Sequence, residues 1–521
     1  MSYLIGIDIG TSGAKTVLFS DNGSVIASYI SEYPLYQPKN GWAEQNPSDW
    51  LKSTFDGIKS VLCSSGVNPA DIKGIGLSGQ MHGLVMLDKN YQVIRPSIIW
   101  CDVRTAEECE QITNTIGKER LVDITANPAL PGFTASKILW VRNNEPENYE
   151  KCRYILLPKD YIRFKLTGEL ASDMSDASGM QLMDVKNRCW SQEVISKLKL
   201  DASMLPKLFE SPEIAGRITR DAAEITGLKE GTIVVAGAGD NAAAAVGTGI
   251  VRDGTAFTTI GTSGVVFAHT SKMTIDKSGR IHTFCHAVPG AWHVMGVTQG
   301  AGLSLKWFKD NFCTSEIEAS DLMNVSPYYL TDKEAQKSPI GANRLIYLPY
   351  LMGERTPHLD PDARGVFFGL SAIHKKRDLI RAVMEGVAFS LLDALNVIKE
   401  TGINIDRMSL CGGGGTSPMW RQIICDVFNC PVNTIASGEG PALGAALLSA
   451  VGSGIYKNVQ EAVDATIKYD SMYYPSKEAI NEYLKYYKVY QGLYPALKDS
   501  YKALSKLSYP IAPPLEFTDY T

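Results

Sequence analysis

The stretch Ile7-Asp-Ile-Gly-Thr-Ser-Gly13 decides the fold of this chain, because its last five letters recur as Ile260-Gly-Thr-Ser-Gly264. Runs rich in β-formers precede and follow each copy, at residues 3–7, 16–19, 255–259 and 265–268. A glycine-rich segment between two such runs is typical of a hairpin turn. The pattern therefore predicts an internal duplication that begins each time with strand, turn and strand.

The segments that follow the two copies are also alike. After the first copy, periodicity predicts a strand at 24–30, a helix at 47–62 and a strand at 72–77. After the second, the predicted elements are strands at 292–297, 408–411 and 432–435 and helices at 376–400, 418–428 and 441–451. The expected fold class is α/β: a β-β-β-α-β-α-β-α unit, present twice, that forms two lobes with a cleft between them.

The length of 521 residues accommodates these lobes and additional segments. We predict an N-terminal lobe over 1–247, a C-terminal lobe over 248–485 and a C-terminal extension over 486–521. Residues 96–225 and 305–345 do not fit the repeat and are interpreted as insertions. The Pro-rich tail at 508–521 is expected to be irregular.

Composition excludes several classes of protein. Hydrophobic residues at 45% and charged residues at 21% are too ordinary for a disordered chain, and a net charge of −5 offers no basic excess for nucleic acid. Neither a transmembrane run of about 18 apolar residues nor a signal peptide is apparent. The ten cysteines show no CxxC pair and no zinc spacing, so we expect reduced thiols in a cytoplasmic protein.

Asp8 stands in an otherwise apolar run, where a carboxylate requires a partner because an unpaired buried charge is costly. One interpretation is a salt bridge to Lys15 across the turn. The other is a carboxylate that faces Mg²⁺ and nucleotide phosphates, directly or through water. In that case the turn amides, Thr11 and Ser12 donate to phosphate oxygens. A P-loop is excluded because residues 10–16 lack its spacing.

Gly237-Ala-Gly-Asp-Asn-Ala242 matches a dinucleotide fingerprint, but Asp240 would stand beside the pyrophosphate and no acidic residue follows at the ribose position. Two interpretations of Asp240 remain. It is either the N-cap of a helix or a general base at the end of a strand. The local pattern by itself favours the N-cap.

Two further segments carry candidate ligand contacts. Four glycines, Gly412 to Gly415, lie between a predicted strand and a helix that Ser417 caps, which favours close approach to a ligand. Gln80 and His82 lie between glycines at a strand end and are candidates for contact with hydroxyl groups. Trp100 either extends that pocket with Asp102 and Arg104, or the last two form a local structural pair.

Taken together, these segments resemble the FGGY family of carbohydrate kinases. The similarity covers roughly residues 3–485 and rests on ten motifs in order. They are Ile7–Lys15, Leu77–Gly83, Pro131–Ala135, Leu157–Tyr161, Ala171–Asp176, Gly237–Asn241, Gly353–His358, Ala363–Gly369, Cys411–Gly415 and Gly440–Ala445. The resemblance implies the ribonuclease H-like fold of the actin-like ATPases, with ATP in the cleft.

The resemblance also implies roles for individual residues. Asp240 corresponds to the general base, and Met81, His82 and Asn241 to sugar contacts. Asp8 corresponds to the carboxylate near Mg²⁺, and the two turns, including Gly261 and Thr262, to phosphate contacts. Gly412 to Gly415 correspond to the nucleotide loop. The Gln80–His82 segment resembles the members that phosphorylate D-xylulose, so the expected reaction is ATP + D-xylulose → ADP + D-xylulose 5-phosphate.

Other functions stay open at this point. Within the same class, the acceptor could be another ketose or a polyol, such as ribulose or an alditol. A protein of another class, an actin-like ATPase that controls a protein partner, would share the fold. Such a protein would have no use for Asp240 or for the Gln80–His82 pocket. Intact Asp8 and Asp240 argue against a catalytically silent sugar sensor. A homodimer is compatible with the sequence.

Overall fold

The computed structural model describes residues 2–435 and 438–507, so the tail predicted at 508–521 lies outside the described residues. Two seven-stranded mixed sheets dominate this part of the chain. The first is built from the N-terminal half, and its strands follow one another across the sheet in the order Ile214–Arg217, Ile233–Val235, Ile72–Gly79, Tyr3–Ile9, Gly13–Ser20 and Val25–Glu32. The short strand Ala238–Gly239 also pairs with Ile72–Gly79.

The second sheet is built from the C-terminal half. Its order is Tyr469–Tyr473, Val432–Ile435, Ile405–Cys411, Gly254–Ile260, Gly264–Thr270, Trp292–Thr298 and His282–Cys285. In both sheets the strand before the repeated turn pairs antiparallel with the strand after it and parallel with its other neighbour. The predicted duplication is confirmed, and His282–Cys285 is an edge strand that the sequence pattern did not predict.

Helices cover the sheets and connect their strands. The α-helices are Pro47–Ser65, Ala106–Ile116, Lys118–Thr125, Thr134–Asn144, Pro146–Lys151, Pro158–Thr167, Met174–Ala177, Gln192–Lys197, Arg220–Thr226, Asp240–Gly247, Gly302–Phe312, Thr314–Met323, Pro327–Ala335, Lys376–Glu400, Pro418–Phe428, Gly440–Gly452, Val459–Thr466 and Lys477–Ser505. The 3₁₀ turns are Pro69–Asp71, Ser178–Met180, Ala202–Met204 and Gly413–Thr416. Short two-stranded pairings join Glu44–Gln45 with Ser97–Ile98, Val85–Leu87 with Tyr154–Leu156, Ala171–Asp173 with Lys207–Phe209, Met183–Asp184 with Cys189–Trp190, and Ile346–Leu348 with Val366–Phe368.

Helix Gly440–Gly452 belongs to the C-terminal half in sequence but packs on the N-terminal sheet. A Cβ atom on Gly6 would lie 1.9 Å from the carbonyl oxygen of Ala442, and one on Gly76 would lie 1.9 Å from that of Ala445. The same helix packs as closely against Asp240–Gly247, where a Cβ on Gly444 would lie 1.9 Å from the oxygen of Ala243. These close backbone approaches require glycine and join the two halves at the base of the cleft.

The segments outside the repeat also have ordered structure. Much of the insertion at 96–225 packs with Leu84, Met86 and Cys285 in an apolar cluster of its own. Residues 486–505 continue helix Lys477–Ser505, whose Tyr483, Tyr487 and Tyr490 are buried in the core of the C-terminal lobe. The proposed start of an extension at 486 thus falls inside a helix.

None of the helices in the described ranges combines the length and apolar character needed to cross a membrane. A cytoplasmic location and a homodimer stay predictions.

Candidate active site

Asp8 lies near the end of the first strand, where the central strands of the N-terminal sheet open toward the cleft. Ser78 on the neighbouring parallel strand donates a hydrogen bond to its carboxylate at 2.8 Å. Burial raises the pKa of Asp8, while the Ser78 hydrogen bond and the charge of Lys15 act in the opposite direction. The Lys15 ammonium forms its ion pair with Glu439, at 2.5 Å, rather than with Asp8.

Asp240 comes directly after the short strand Ala238–Gly239. That strand pairs in parallel with Ser78–Gly79, at the end of strand Ile72–Gly79. The N-cap interpretation is wrong: the helix begins at Asp240 itself, and Gly239 occupies the N-cap position. The Asp240 carboxylate accepts hydrogen bonds from the backbone N–H of Asn241 at 2.7 Å and from its side-chain amide at 2.9 Å. Burial, followed by the negative charge of Asp8, raises the pKa of Asp240 to about 7.

In each of the two repeated turns the first amide is used to close the turn, and the central amides are free in the part of the chain that the structure describes. The N–H of Gly10 donates to the oxygen of Gly13, and that of Gly261 to the oxygen of Ser263, both at 3.0 Å. The two turns have the same sequence but differ in length by one residue. Ile9 pairs with Ala14 across the first turn, whereas Ile260 pairs with Gly264 across the second. Within the described residues the central amides, those of Thr11, Ser12, Thr262 and Ser263, donate to no protein acceptor.

The carbonyl groups of both turns, in contrast, accept hydrogen bonds from the rest of the protein. Gln45 donates its side-chain amide to the oxygen of Thr11 at 2.6 Å. The N–H groups of Gly302 and Leu303 donate to the oxygens of Gly261 and Thr262 at 2.6 and 3.1 Å. With the carbonyls bound inside the protein, each turn presents donors outward, which is the arrangement of an anion-binding backbone concavity.

The four-glycine segment follows strand Ile405–Cys411 and forms a 3₁₀ turn before helix Pro418–Phe428. Ser417 caps that helix by accepting from the N–H of Trp420, as predicted. Close packing explains two of the glycines, since a Cβ on Gly412 or Gly414 would lie 3.0 Å or less from Ile260. A Cβ on Gly413 would meet no atom within 4 Å, so among these four glycines Gly413 leaves open space for a ligand. Gly415 is buried.

Met81 lies in an apolar cluster with Phe133 and Phe284 where the two lobes meet, and His82 contacts the same two rings; we call this place the candidate sugar pocket. His82 adopts a left-handed φ of 69°, and Thr134 Oγ1 and Lys137 Nζ both donate to its carbonyl oxygen, at 3.1 and 2.9 Å. The rings of Phe133 and Phe284 lie 4.7 and 6.0 Å from the imidazole, between centroids. A strained backbone held by two donors is typical of a functional position.

The protonation of His82 follows from this environment. Burial and the nearby Lys137 charge lower the pKa of His82 to about 3, so its ring is neutral at physiological pH. Nδ1 lies 2.7 Å from the carbonyl oxygen of Gly179, and only a protonated Nδ1 can donate to that acceptor. The Nε2 atom therefore keeps a lone pair that can accept from a hydroxyl group.

The other predicted contacts occupy different positions. Trp100 is 40% exposed and donates its indole N–H to Thr11 Oγ1 at 2.8 Å, beside the first turn. Gln80 is buried under that turn and donates to the oxygens of Gln45 and Gly10. Asp102 and Arg104 form a buried ion pair at 2.6 Å, which confirms the local structural interpretation.

A cluster of fully buried charges behind Asp240 was missed as such by the sequence analysis. Lys159 Nζ lies 2.6, 2.7 and 3.3 Å from carboxylate oxygens of Asp160, Asp173 and Asp176. Asp173 accepts from Ser175 Oγ at 2.5 Å, and Ser175 Oγ in turn accepts from the N–H of Gly239 at 3.1 Å. The signal was present, because two of the quoted motifs contain these residues, but no spacing rule connects them.

The described residues suit a magnesium nucleotide. They contain no group of three or more His, Cys, Asp or Glu side chains that could hold a metal ion by themselves. Mg²⁺ is commonly bound through one or two carboxylates and the phosphates of the substrate, and Asp8 fits that pattern. The unused amides of the two turns fit the phosphates themselves.

Two α/β lobes that each begin with the same strand, turn and strand, and the carboxylates of Asp8 and Asp240 at strand ends, are the arrangement expected of a two-lobed kinase. Comparison with known proteins agrees. The models for the N-terminal and C-terminal domains of the FGGY family of carbohydrate kinases match residues 3–247 and 256–453. The chain belongs to the FGGY family of carbohydrate kinases and is a sugar kinase that uses ATP.

Similar proteins cover nearly the whole chain. The xylulose kinase of Bacillus subtilis is 40% identical over 504 residues, which are 97% of this chain and 99% of the relative. A crystal structure named xyloylose kinase, from Brucella ovis, is 35% identical with a TM-score of 0.87 and covers 96% of this chain and 100% of its own. A gluconate kinase structure from Lactobacillus acidophilus reaches a TM-score of 0.89 at 28% identity, with coverages of 96% and 99%. The fold is therefore shared by kinases with different acceptors.

Proposed function

We propose that this protein transfers the terminal phosphoryl group of ATP to the terminal hydroxyl group of D-xylulose, which gives D-xylulose 5-phosphate. One arrangement supports this most directly: the half-buried carboxylate of Asp240 stands next to Asp8 on one side and to the Met81–His82 pocket on the other. The similarity to xylulose kinases along nearly the whole chain supports the choice of sugar.

Asp240 is the proposed general base. In its ionised form the carboxylate orients the acceptor hydroxyl and takes its proton as the bond to phosphorus forms. The two hydrogen bonds from Asn241 fix one carboxylate oxygen, which leaves the other for the sugar. His82 is proposed to accept from a sugar hydroxyl through Nε2, and Met81 to pack against the carbon chain.

The two turns are proposed to hold the phosphate groups from opposite lobes. Their outward amides, together with the hydroxyl groups of Thr11, Ser12 and Thr262, donate to phosphate oxygens as charge shifts toward the leaving group. When bound near Asp8, Mg²⁺ neutralises phosphate charge in this chemistry. Gly413 is proposed to leave room for the nucleotide beside the glycine segment.

The test is coupled ADP release with MgATP and a panel of acceptors: D-xylulose, D-ribulose, L-ribulose, L-xylulose, xylitol, glycerol and D-gluconate. We expect a strong preference for D-xylulose. Asp240→Ala should lose at least the ~10²–10⁴-fold that general bases contribute and should still bind ATP. Asp56→Ala, on an exposed helix face, is the matched control and should keep full activity.

The outcomes separate the alternatives. Preference for another acceptor that Asp240→Ala abolishes would retain the mechanism and replace the sugar. Turnover close to the wild type in Asp240→Ala would remove Asp240 as the base. ADP release that no acceptor stimulates would favour the partner-controlled ATPase.

A further inference from the structure

Arg355 has a positively charged side chain that takes no part in the proposed reaction. Its side chain is half-buried, and its guanidinium makes no hydrogen bond and no ion pair with any residue in the two described ranges; the carboxylate of Glu354 attracts it only from beyond ion-pair distance. Three other buried or half-buried arginines of this chain are paired: Arg104 with Asp102, Arg163 with Asp160 and Arg381 with Glu385. A half-buried guanidinium whose N–H groups donate to no protein acceptor keeps those donors available for a ligand.

The residues on either side of Arg355 are fixed to strand Trp292–Thr298 of the C-terminal sheet and to Gln299 just after it. The carboxylate of Glu354 accepts from Thr298 Oγ1 at 2.6 Å and from the N–H of Gln299 at 3.1 Å. Thr356 donates its N–H to the oxygen of Val297 at 2.9 Å, and its hydroxyl donates to the oxygen of Arg280 at 2.7 Å. The backbone of Arg355 is thereby held rigidly beside strand Trp292–Thr298.

This position lies beside the sugar pocket. Val297 belongs to the same apolar cluster as Met81, Phe133 and Phe284, which line that pocket. The positive charge of Arg355 contributes to the lowered pKa of both His82 and His282. The hydrogen bond from the neighbouring Thr356 to Val297 thus places the backbone of Arg355 next to this apolar cluster, on the side of His82.

The structure of the acceptor sugar indicates which of its groups would bind to Arg355. A 2-ketopentose can close a five-membered ring only through its C5 hydroxyl, which is the hydroxyl to be phosphorylated. The bound acceptor must therefore be open-chain, with a free C2 carbonyl at the end opposite to C5. A guanidinium offers a planar fork of N–H donors, which fits a carbonyl oxygen together with the adjacent C1 hydroxyl.

We infer that Arg355 is a specificity-determining residue that donates hydrogen bonds to the C2 carbonyl and C1 hydroxyl of an open-chain ketose. The inference rests on the proposed function, because it assigns a contact within the same sugar pocket. In this assignment the C-terminal lobe also contributes to recognition of the sugar, through Arg355, in addition to Met81 and His82 of the N-terminal lobe. It also predicts that the enzyme distinguishes a ketose from the alditol of the same carbon skeleton.

The test compares D-xylulose with its reduced forms, xylitol and D-arabinitol, in wild type, Arg355→Gln and Arg355→Lys. Loss of a charged hydrogen bond of ~1.5–3 kcal/mol corresponds to about 10- to 100-fold. We expect Arg355→Gln to lose that factor in kcat/KM for D-xylulose, to change little for the alditols and to keep the KM for ATP. Arg355→Lys, which keeps the charge without the fork, should be intermediate.

Arg364→Gln is the matched control, since Arg364 lies in the following segment and donates only to the carbonyl oxygens of Pro361 and Ala363. It should leave the ketose-to-alditol ratio unchanged. Binding of D-xylulose without nucleotide, followed by calorimetry, provides a readout apart from turnover, and thermal unfolding checks that each variant is folded.

Three results would overturn the inference: an equal loss on ketose and alditol, a raised KM for ATP with an unchanged sugar KM, or unchanged kinetics in Arg355→Gln. Wild type that prefers D-gluconate would refute the proposed function and also this inference, because the guanidinium would then pair with a carboxylate. Wild type that prefers D-xylulose while Arg355→Gln keeps the ratio would refute only the inference.

Discussion

At the scale of single residues, the site depends on charges that the surrounding protein perturbs. Asp240 and Asp8 are two carboxylates near one another, and each is held by one polar neighbour, Asn241 and Ser78. Because burial and the Asp8 charge disfavour ionisation of Asp240, its pKa lies near 7 rather than near 4. A base with a pKa close to the working pH combines availability with proton affinity.

This gives a prediction on pH dependence. Only the ionised Asp240 accepts a proton, so kcat/KM for the sugar should fall about tenfold per pH unit below an apparent pKa of about 7 and level off above it. In Asp8→Asn the repelling charge is gone, and the limb measured on the residual activity should move to lower pH. An unmoved limb in Asp8→Asn would contradict the coupling, and Asp56→Asn serves as the control.

A second prediction concerns His82. Its neutral ring donates through Nδ1 to Gly179 and keeps Nε2 as an acceptor, so His82→Ala removes one acceptor from the pocket. We expect the sugar KM to rise about tenfold, as for the loss of one hydrogen bond of ~1.4 kcal/mol, with little change in the KM for ATP. Steady-state kinetics with each substrate varied in turn measure this, and His374→Ala, at a half-buried histidine that contacts Ser371 and Asn343, is the comparison. An unchanged sugar KM would place His82 outside the pocket.

At the scale of elements, two helices set the geometry of the cleft. Asp240–Gly247, which carries the proposed base at its first residue, packs against Gly440–Gly452 through Gly247, Gly440 and Gly444. Backbone-to-backbone contact of this kind leaves no space for a side chain, so the separation of the helices is fixed by glycine. The position of Asp240 is therefore coupled to a helix some 200 positions away in the chain.

Two helical glycines should respond in opposite ways to alanine. In Gly444→Ala the new methyl group would lie 1.9 Å from the oxygen of Ala243, so the helices must separate, at a cost of ~1–3 kcal/mol or more and with loss of activity. In Gly492→Ala, within helix Lys477–Ser505, the methyl group meets no atom within 4 Å and should stabilise by ~0.5–1 kcal/mol. Thermal unfolding of both variants measures this. Equal effects of the two substitutions would contradict the packing argument.

At the scale of the whole molecule, the two sequence halves are not two independent bodies. One apolar cluster combines Leu4, Val17 and Phe19 of the first half with Ala442, Ala446 and Leu447 of the second. The Lys15–Glu439 ion pair and the hydrogen bond from Tyr456 to the oxygen of Asp21 also join them. The pocket at the junction takes His82 and Phe133 from one half and Phe284 from the other.

This interleaving predicts that residues 1–247 do not fold alone. Without helix Gly440–Gly452, the apolar face of the sheet around Leu4 and Gly76 is exposed to water, and the fragment should bind a hydrophobic dye and lack a cooperative transition. Co-expression with residues 248–521 should restore a soluble, active complex. A fragment that unfolds cooperatively and remains monomeric would contradict the prediction.

The sequence by itself determined the duplicated α/β architecture, because strands, turns and helices follow from local periodicity and glycine placement at Ile9–Gly13 and Ile260–Gly264. It also singled out Asp8, Gln80 and His82 as polar residues in or at the end of apolar strands, whereas the roles of Asp240 and Met81 came from the resemblance to the carbohydrate kinases and stay predictions. Only the tertiary structure decided which charges meet: that Lys15 pairs with Glu439 and not Asp8, and that Lys159 gathers three carboxylates. The reason is physical. Local conformation is set by neighbours in the chain, whereas pairing and burial depend on residues that only folding brings together.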